Sequence, residues 1–250
     1  MSSTDSERTT THLAMWSGPR NISTALMRSF ESRGHTKVCD EPLYSHYLAT
    51  TGLDHPVASQ IIATHERDWR KVVSELTAPL DEGTTLYYQK HMSHHLIPEV
   101  GREWIDTIDH AFLIRDPAEM LISLNKVIPM PRVEDTGLPQ QLELYRSLRE
   151  AGSKPPVIDS KDVLDDPAGV LPSLCRALNI EYRDSMLSWP AGTRETDGCW
   201  ADHWYANVFK TTAFGTWRER SEEVPNELTE VLSTCQEIYD ELRADRIQAN

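Results

Sequence analysis

The sequence predicts an α/β fold, a three-layer sandwich with a central, mainly parallel sheet and helices on both faces. Three observations carry this. Five apolar runs of strand length, at 13–16, 37–39, 86–89, 111–114 and 157–159, mostly alternate with helical patterns at 23–32, 57–77, 118–126, 139–151 and 168–178. That alternation favours parallel strands joined by crossover helices. The first run, Leu13-Ala14-Met15-Trp16, passes through a short loop with Gly18 and Pro19 directly into a helical pattern. Arg20, Glu41, His91 and Arg115 each fall just past the end of a different candidate strand, where open parallel sheets bind their ligands.

Along the chain, residues 1–10 are polar and rich in Ser and Thr, and are expected to be a disordered tail. Residues 11–250 are then one domain, closed by an amphipathic helix at 224–247. After the first strand, Ile22, Ala25, Leu26, Ser29 and Phe30 recur at helical spacing behind Ser23 and Thr24. Backbone N–H groups at a helix start have no intrahelical partner, and the helix dipole is positive there, so phosphate or sulfate binds for both reasons. Arg20 adds a fixed cation to the same loop. Glu41, before Pro42, either serves the site or caps the next helix. The run Leu86-Tyr87-Tyr88-Gln89 leads into Lys90-His91, and His94 and His95 follow closely.

The run His110-Ala111-Phe112-Leu113-Ile114 reads as a buried strand. Asp116 can cap the helix after it, Pro117 suits its first position, and Glu119 completes a capping-box spacing. Arg115 and Ser123 can then converge on one anion, for which the planar guanidinium fork is suited. Residues 127–139 contain Pro129, Pro131 and Pro139, cannot be regular helix, and are read as a loop over the site. Residues 44–56 and 192–215 are further loops that shape a pocket. The cluster Trp200, His203, Trp204 and Tyr205 is either core, or an acceptor wall able to cage a cation.

Net charge is −14, which argues against nucleic acid and anionic membrane surfaces as partners. The acid is concentrated over 219–245, while Arg20, Arg28, Lys90, Arg115 and Lys126 are assigned to the site or its surroundings. The four cysteines form no C-x-x-C pair and read as reduced. His91, His94 and His95 have no accompanying carboxylate motif, so no metal is expected. No apolar run reaches membrane-spanning length and no targeting segment is recognised, so a cytoplasmic protein is expected.

The first loop lacks the second Gly and the Lys of a Walker A motif. Read as Pro19-Arg20-Asn21-Ile22-Ser23-Thr24-Ala25-Leu26, it resembles the Pro-Lys-Ser-Gly-Thr-Thr-Trp-Leu loop of the sulfotransferases. Arg115-Asp116-Pro117, with Ser123 eight residues after Arg115, resembles that family's 3′-phosphate motif. The acidic turn before Pro167 and the helix end around Leu174-Cys175 are similar too, and the likeness spans most of residues 10–220. The resemblance is to the P-loop-like sulfotransferases that use 3′-phosphoadenosine 5′-phosphosulfate (PAPS), in the bacterial small-molecule branch.

That resemblance implies a P-loop-like phosphosulfate-binding loop made of Gly18, Pro19, Arg20, Asn21, Ile22, Ser23 and Thr24, with Arg115 and Ser123 on the 3′-phosphate. It implies sulfuryl transfer from PAPS to a hydroxyl of a small acceptor, with no metal. Arg20 stands where the family has its catalytic Lys, so its contribution is electrostatic. Lys90-His91 resembles the family's Lys-x-His segment with one residue fewer, and Asp40-Glu41-Pro42 resembles the Glu-Pro segment after the second strand. His91 and Glu41 are therefore rival general bases, and Lys90 is a candidate stabiliser of the transferring group. Around Trp217, only Lys210 and Gly215 also remain of the family's late loop. Two other readings are a P-loop-like phosphotransferase using ATP, and a non-catalytic nucleotide-binding protein of the same fold.

Overall fold

The computed structural model describes residues 10–219 and 221–249, so the expected disordered tail lies, but for Thr10, outside the described residues. Five strands, β1 (Thr11–Ser17), β2 (Thr36–Asp40), β3 (Leu86–Met92), β4 (Asp109–Ile114) and β5 (Val157–Asp159), form one sheet in the order β2-β3-β1-β4-β5. All four pairings are parallel. The strands are nearly continuous apolar runs because both faces are covered, as parallel sheets require.

Between them lie helices α1 (Ser23–Ser32), α2 (Tyr44–Thr51), α3 (Ala58–Thr64), α4 (Trp69–Leu76), α5 (Pro117–Asn125), α6 (Leu138–Glu150), α7 (Ser160–Asp165), α8 (Pro167–Ala177), α9 (Ala201–Trp204) and α10 (Thr229–Ala244). Alternate strand residues feed two separate cores. On one face Leu13, Met15, Tyr88, Leu113 and Ile158 pack with α1 and α8 through Leu26, Phe30 and Leu174. On the other, Trp16, Tyr87 and Phe112 pack with residues of α2, α4, α6 and α10. The sandwich is therefore the three-layer one read from the sequence.

Three local expectations change. The single helix expected over 57–77 is two, because His65 is extended and the Asp68 side chain caps α4 by accepting from Arg70 N–H. The stretch 44–56 is not all loop: α2 runs to Gly52, whose φ of 69° ends it in the left-handed conformation that glycine supplies cheaply. The turn after β5 is itself a helix, α7, capped by Asp159.

Candidate active site

Four strands deliver their carboxyl ends to one cavity. Pro19, Arg20, Asn21, Ile22, Ser23 and Thr24 line it beyond β1, Glu41 beyond β2, Lys90 and His94 at the end of β3, and Arg115 and Ser123 beyond β4. Of the residues singled out from the sequence, Gly18 and His91 do not line it. Arg28 and Lys126 do not either: Arg28 is buried against Asp197, and Lys126 pairs at the surface with Glu222. Gly18 acts from behind. A Cβ there would sit 2.5 Å from Thr136 O, so the glycine lets the 127–139 segment lie close against the loop. That segment crosses the site as expected, contributing Ile128 and Asp135 to the cavity.

The loop from Gly18 to Thr24 turns polar groups toward the cavity. Ile22 precedes α1 and gives it no side-chain cap, so the first-turn N–H groups face the cavity edge with Ser23 and Thr24. Leu26 N–H closes the first intrahelical bond, on Ile22 O at 3.0 Å. Asn21 is held by its Nδ2 donating to Leu113 O, while its buried Oδ1 has no protein partner among the described residues. Arg20 Nε donates to Ser123 Oγ at 2.9 Å, which ties the two sequence motifs together. Three non-glycine residues of this one cavity sit in the left-handed region: Arg20 at φ 64°, Ile22 at 50° and Glu41 at 46°. Such conformations cost about 1–3 kcal/mol each and persist where the surroundings over-determine them, often at functional sites.

Arg115 is braced from two sides. Its Nη1 donates to Arg20 O, and its Nε and Nη2 donate to Glu119 Oε2 at 3.1 and 2.9 Å. A guanidinium carries five N–H groups, so two remain for a ligand. The capping box expected at this helix is half present. Asp116 accepts from Glu119 N–H as a cap, but the Glu119 side chain turns to Arg115 and to Trp217 Nε1, 2.8 Å away. Trp217 in turn lies under Lys161 Nζ at 4.3 Å. The late segment thus reaches the Arg115 corner through Trp217, while Lys210 is exposed and off the cavity.

Glu41 and Lys90 meet through sheet register. Lys90 pairs with Asp40 across β2–β3, and Glu41 N–H donates to Lys90 O at 2.9 Å. Lys90 Nζ donates to Asp40 Oδ1 at 2.8 Å, Glu41 Oε1 at 2.6 Å and Tyr205 OH at 2.8 Å. The phenol of Tyr205 lies 2.9 Å from both Asp40 oxygens and receives Trp200 Nε1 at 3.1 Å. All of this is nearly dry; Lys90 and Asp40 side chains are 1% exposed and Glu41 11%. Burial works against the Lys90 ammonium, but Asp40 and Glu41 outweigh it and raise its pKa, so it stays charged. One ammonium cannot neutralise two carboxylates. Glu41 is pushed above its ordinary value by burial, against the pull of Lys90 and with a further push from Asp40.

His91 lies on the other face of β3. Side chains alternate along a strand, so Lys90 toward the cavity forces His91 away from it. Its ring stacks on Trp16 at 4.3 Å and its Nε2 pairs with Gln89 Oε1 at 3.2 Å. Burial first, then His110 and Lys90, lower its pKa to about 3, so it is neutral and enclosed, which corrects its reading as a general base. His91→Phe keeps the stack and is expected to leave turnover within a few-fold while costing about 1–3 kcal/mol of stability. A hundredfold loss of turnover in a folded variant would restore His91 as a base.

The aromatic cluster divides. Trp200 is core, His203 is exposed, and Trp204 and Tyr205 line the cavity. Asp40, Glu119 and Tyr205 were not singled out from the sequence for these roles. The only signal for Asp40 was its place directly before Glu41 at a strand end.

Comparisons with known proteins bear on the family and the fold. A family model described as a sulfotransferase domain matches residues 11–245. Two proteins of Arabidopsis thaliana, branched-chain-amino-acid aminotransferase-like proteins 2 and 1, are 34% and 35% identical over 91% and 92% of this chain. The chain spans only 40% and 41% of their lengths. Among solved structures, the sulfotransferase domain from the curacin biosynthetic pathway superposes with a TM-score of 0.54 at 15% identity, covering 96% of this chain and 99% of that one, which is likeness of fold. With a family model spanning nearly the whole described chain, this protein belongs to the sulfotransferase domain family.

Proposed function

We propose that the chain moves a sulfuryl group from PAPS to a hydroxyl of a small-molecule acceptor by in-line transfer. The observation that carries this is a single cavity holding both anion motifs and, beside them, a buried carboxylate–ammonium pair. The residues present fit the donor. The uncapped start of α1, Ser23, Thr24 and Arg20 would hold its phosphosulfate end, and the two spare N–H groups of Arg115 with Ser123 its 3′-phosphate.

The donor supplies the sulfuryl group. Glu41 takes the proton of the acceptor hydroxyl as the new O–S bond forms. Arg20 and the α1 N–H groups stabilise the charge that develops on the departing phosphate oxygen as the old S–O bond breaks. Lys90, fixed at 2.6 Å from Glu41 Oε1, orients the base and lends positive charge to the transferring group. Asp116 is committed to capping α5, and the carboxylates at the end of β2, Asp40 and Glu41, are held by the Lys90 ammonium, an arrangement that favours proton transfer over metal binding. An aminotransferase reading needs a lysine able to shed its proton. Lys90, the lysine among the cavity's lining, is held protonated by two carboxylates.

Calorimetric titration tests the donor. 3′-Phosphoadenosine 5′-phosphate is expected to bind at about micromolar Kd, more tightly than ATP, and Arg115→Ala to weaken it by roughly 10–100-fold. Preference for Mg·ATP, or binding indifferent to Arg115→Ala, rejects the PAPS reading.

A further inference from the structure

The part of the cavity lining outside the anion loop has a chemistry of its own. The basic side chains lining the cavity belong to the donor side and to the Glu41 corner. Arg20 donates to Ser123, Arg115 to Glu119 and Arg20 O, and Lys90 to Asp40, Glu41 and Tyr205. Beyond them the lining contains the carboxylate of Asp135, the rings of Tyr44 and Trp204, the imidazoles of His55 and His94, and an apolar strip from Ile128 to Val208.

Tyr44 presents a fixed ring: it stacks on His95 at 4.6 Å, and its hydroxyl is 2.8 Å from His55 Nδ1. Burial lowers the pKa of both cavity histidines, that of His94 to about 3, so near neutral pH neither adds positive charge. Asp135 belongs to the turn packed against His94: two residues on, a Cβ at Gly137 would lie 3.1 Å from His94 N and 3.5 Å from His94 Nδ1. Asp135 Oδ2 accepts from Arg132 N–H at 2.8 Å as a cap on the 133–136 turn, and its ion-pair partner among the described residues is the Arg132 guanidinium, 3.5 Å from Oδ1 and 70% exposed; a solvated pair at that distance neutralises little.

Resting on the sulfuryl-transfer reading, we propose that the acceptor is an alcohol bearing a cationic amine, its hydroxyl at Glu41 and its ammonium between Asp135 and the Tyr44 and Trp204 rings. Aromatic faces attract a desolvated ammonium, and a carboxylate beside them makes the attraction specific. The apolar strip suits the carbon chain between the two ends.

The test uses alcohols of one carbon skeleton that are neutral, carry a primary amine, carry a trimethylammonium group, or carry a carboxylate. Release of the bisphosphate product is measured with PAPS present, and binding of each alcohol is measured by calorimetry with the bisphosphate bound. The cationic alcohols are expected to give the highest kcat/KM and the carboxylate the lowest. Asp135→Asn keeps an acceptor oxygen for Arg132 N–H. It is expected to lower kcat/KM for the cationic alcohols on the order of tenfold, to leave the neutral one within two- to threefold, and not to change bisphosphate affinity. Equal or better use of neutral or anionic alcohols, no binding of any cationic alcohol to the bisphosphate complex, or an Asp135→Asn effect that ignores acceptor charge overturns the acceptor assignment. Loss of bisphosphate binding by the unmodified protein instead overturns the donor reading beneath it.

Discussion

Glu41→Gln is expected to lower turnover by about 10²–10⁴-fold, the usual contribution of a positioned general base, and to leave bisphosphate affinity within a few-fold. The side chain sits 2.6 Å from Lys90 Nζ and lines the cavity without belonging to the anion loop. The sign of its pH dependence follows from its environment. Burial comes first among the causes that raise its pKa above 4.5, opposed by Lys90 and assisted by Asp40. A base works when deprotonated, so the rate of the unmodified protein should climb as pH rises through that elevated value. This limb should be absent in the variant.

Stability should respond differently. A group whose folded pKa is raised contributes stability that is full below its unfolded value, near 4.5, and is lost as pH rises through the folded one. At neutral pH the ionised Glu41 is therefore a strain on the fold, and glutamine removes it. Tm at neutral pH is expected to hold or rise while activity collapses, a separation that a residue kept for packing would not give. A variant that retains turnover within tenfold, or keeps the acid limb, removes Glu41 from the mechanism.

The sheet was legible in the sequence because its strands are buried on both faces and stand out as apolar runs, each followed by a turn and a helix start. Arg20, Ser23, Thr24, Arg115 and Ser123 were legible for the same reason: a strand end fixes where the next few residues go. His91 shows the limit. Adjacent strand residues point to opposite faces, and with both faces apolar nothing local tells which of Lys90 and His91 meets the cavity. Sheet register decided it, through Asp40 opposite Lys90. Tyr205 was legible as a possible wall residue, but not its bond to Lys90, because it arrives 115 residues later in an irregular stretch. Glu119 looked like one half of a local capping box. The competing partners, Arg115 four residues before it and Trp217 from the late segment, took its carboxylate instead.

Lys90→Met is expected to cost about 3–5 kcal/mol of stability, since it leaves buried carboxylates without their cation. Methionine matches the lysine stem in length, so the loss is electrostatic rather than a cavity. Asp40, Glu41 and the Tyr205 hydroxyl all converge on the one ammonium within 2.6–2.8 Å, and the Asp40 carboxylate, 1% exposed, has almost no water to take its place. The loss should shrink on acidification, because a protonated carboxyl no longer needs the cation. It should shrink as well in Lys90→Met combined with Asp40→Asn, where the unpaired charge is removed. The coupling between the two substitutions, read from denaturation midpoints, measures how far the fold depends on the pair. Turnover should separate from stability here too. The double variant recovers folding but lacks the charge that orients Glu41 and faces the transferring group, so it should remain nearly inactive. A single variant destabilised by less than about 1 kcal/mol, the range of an exposed pair, would mean that water reaches the cluster. Glu41 would then titrate as an ordinary surface carboxylate, and its place as the base would fall with the network that elevates it.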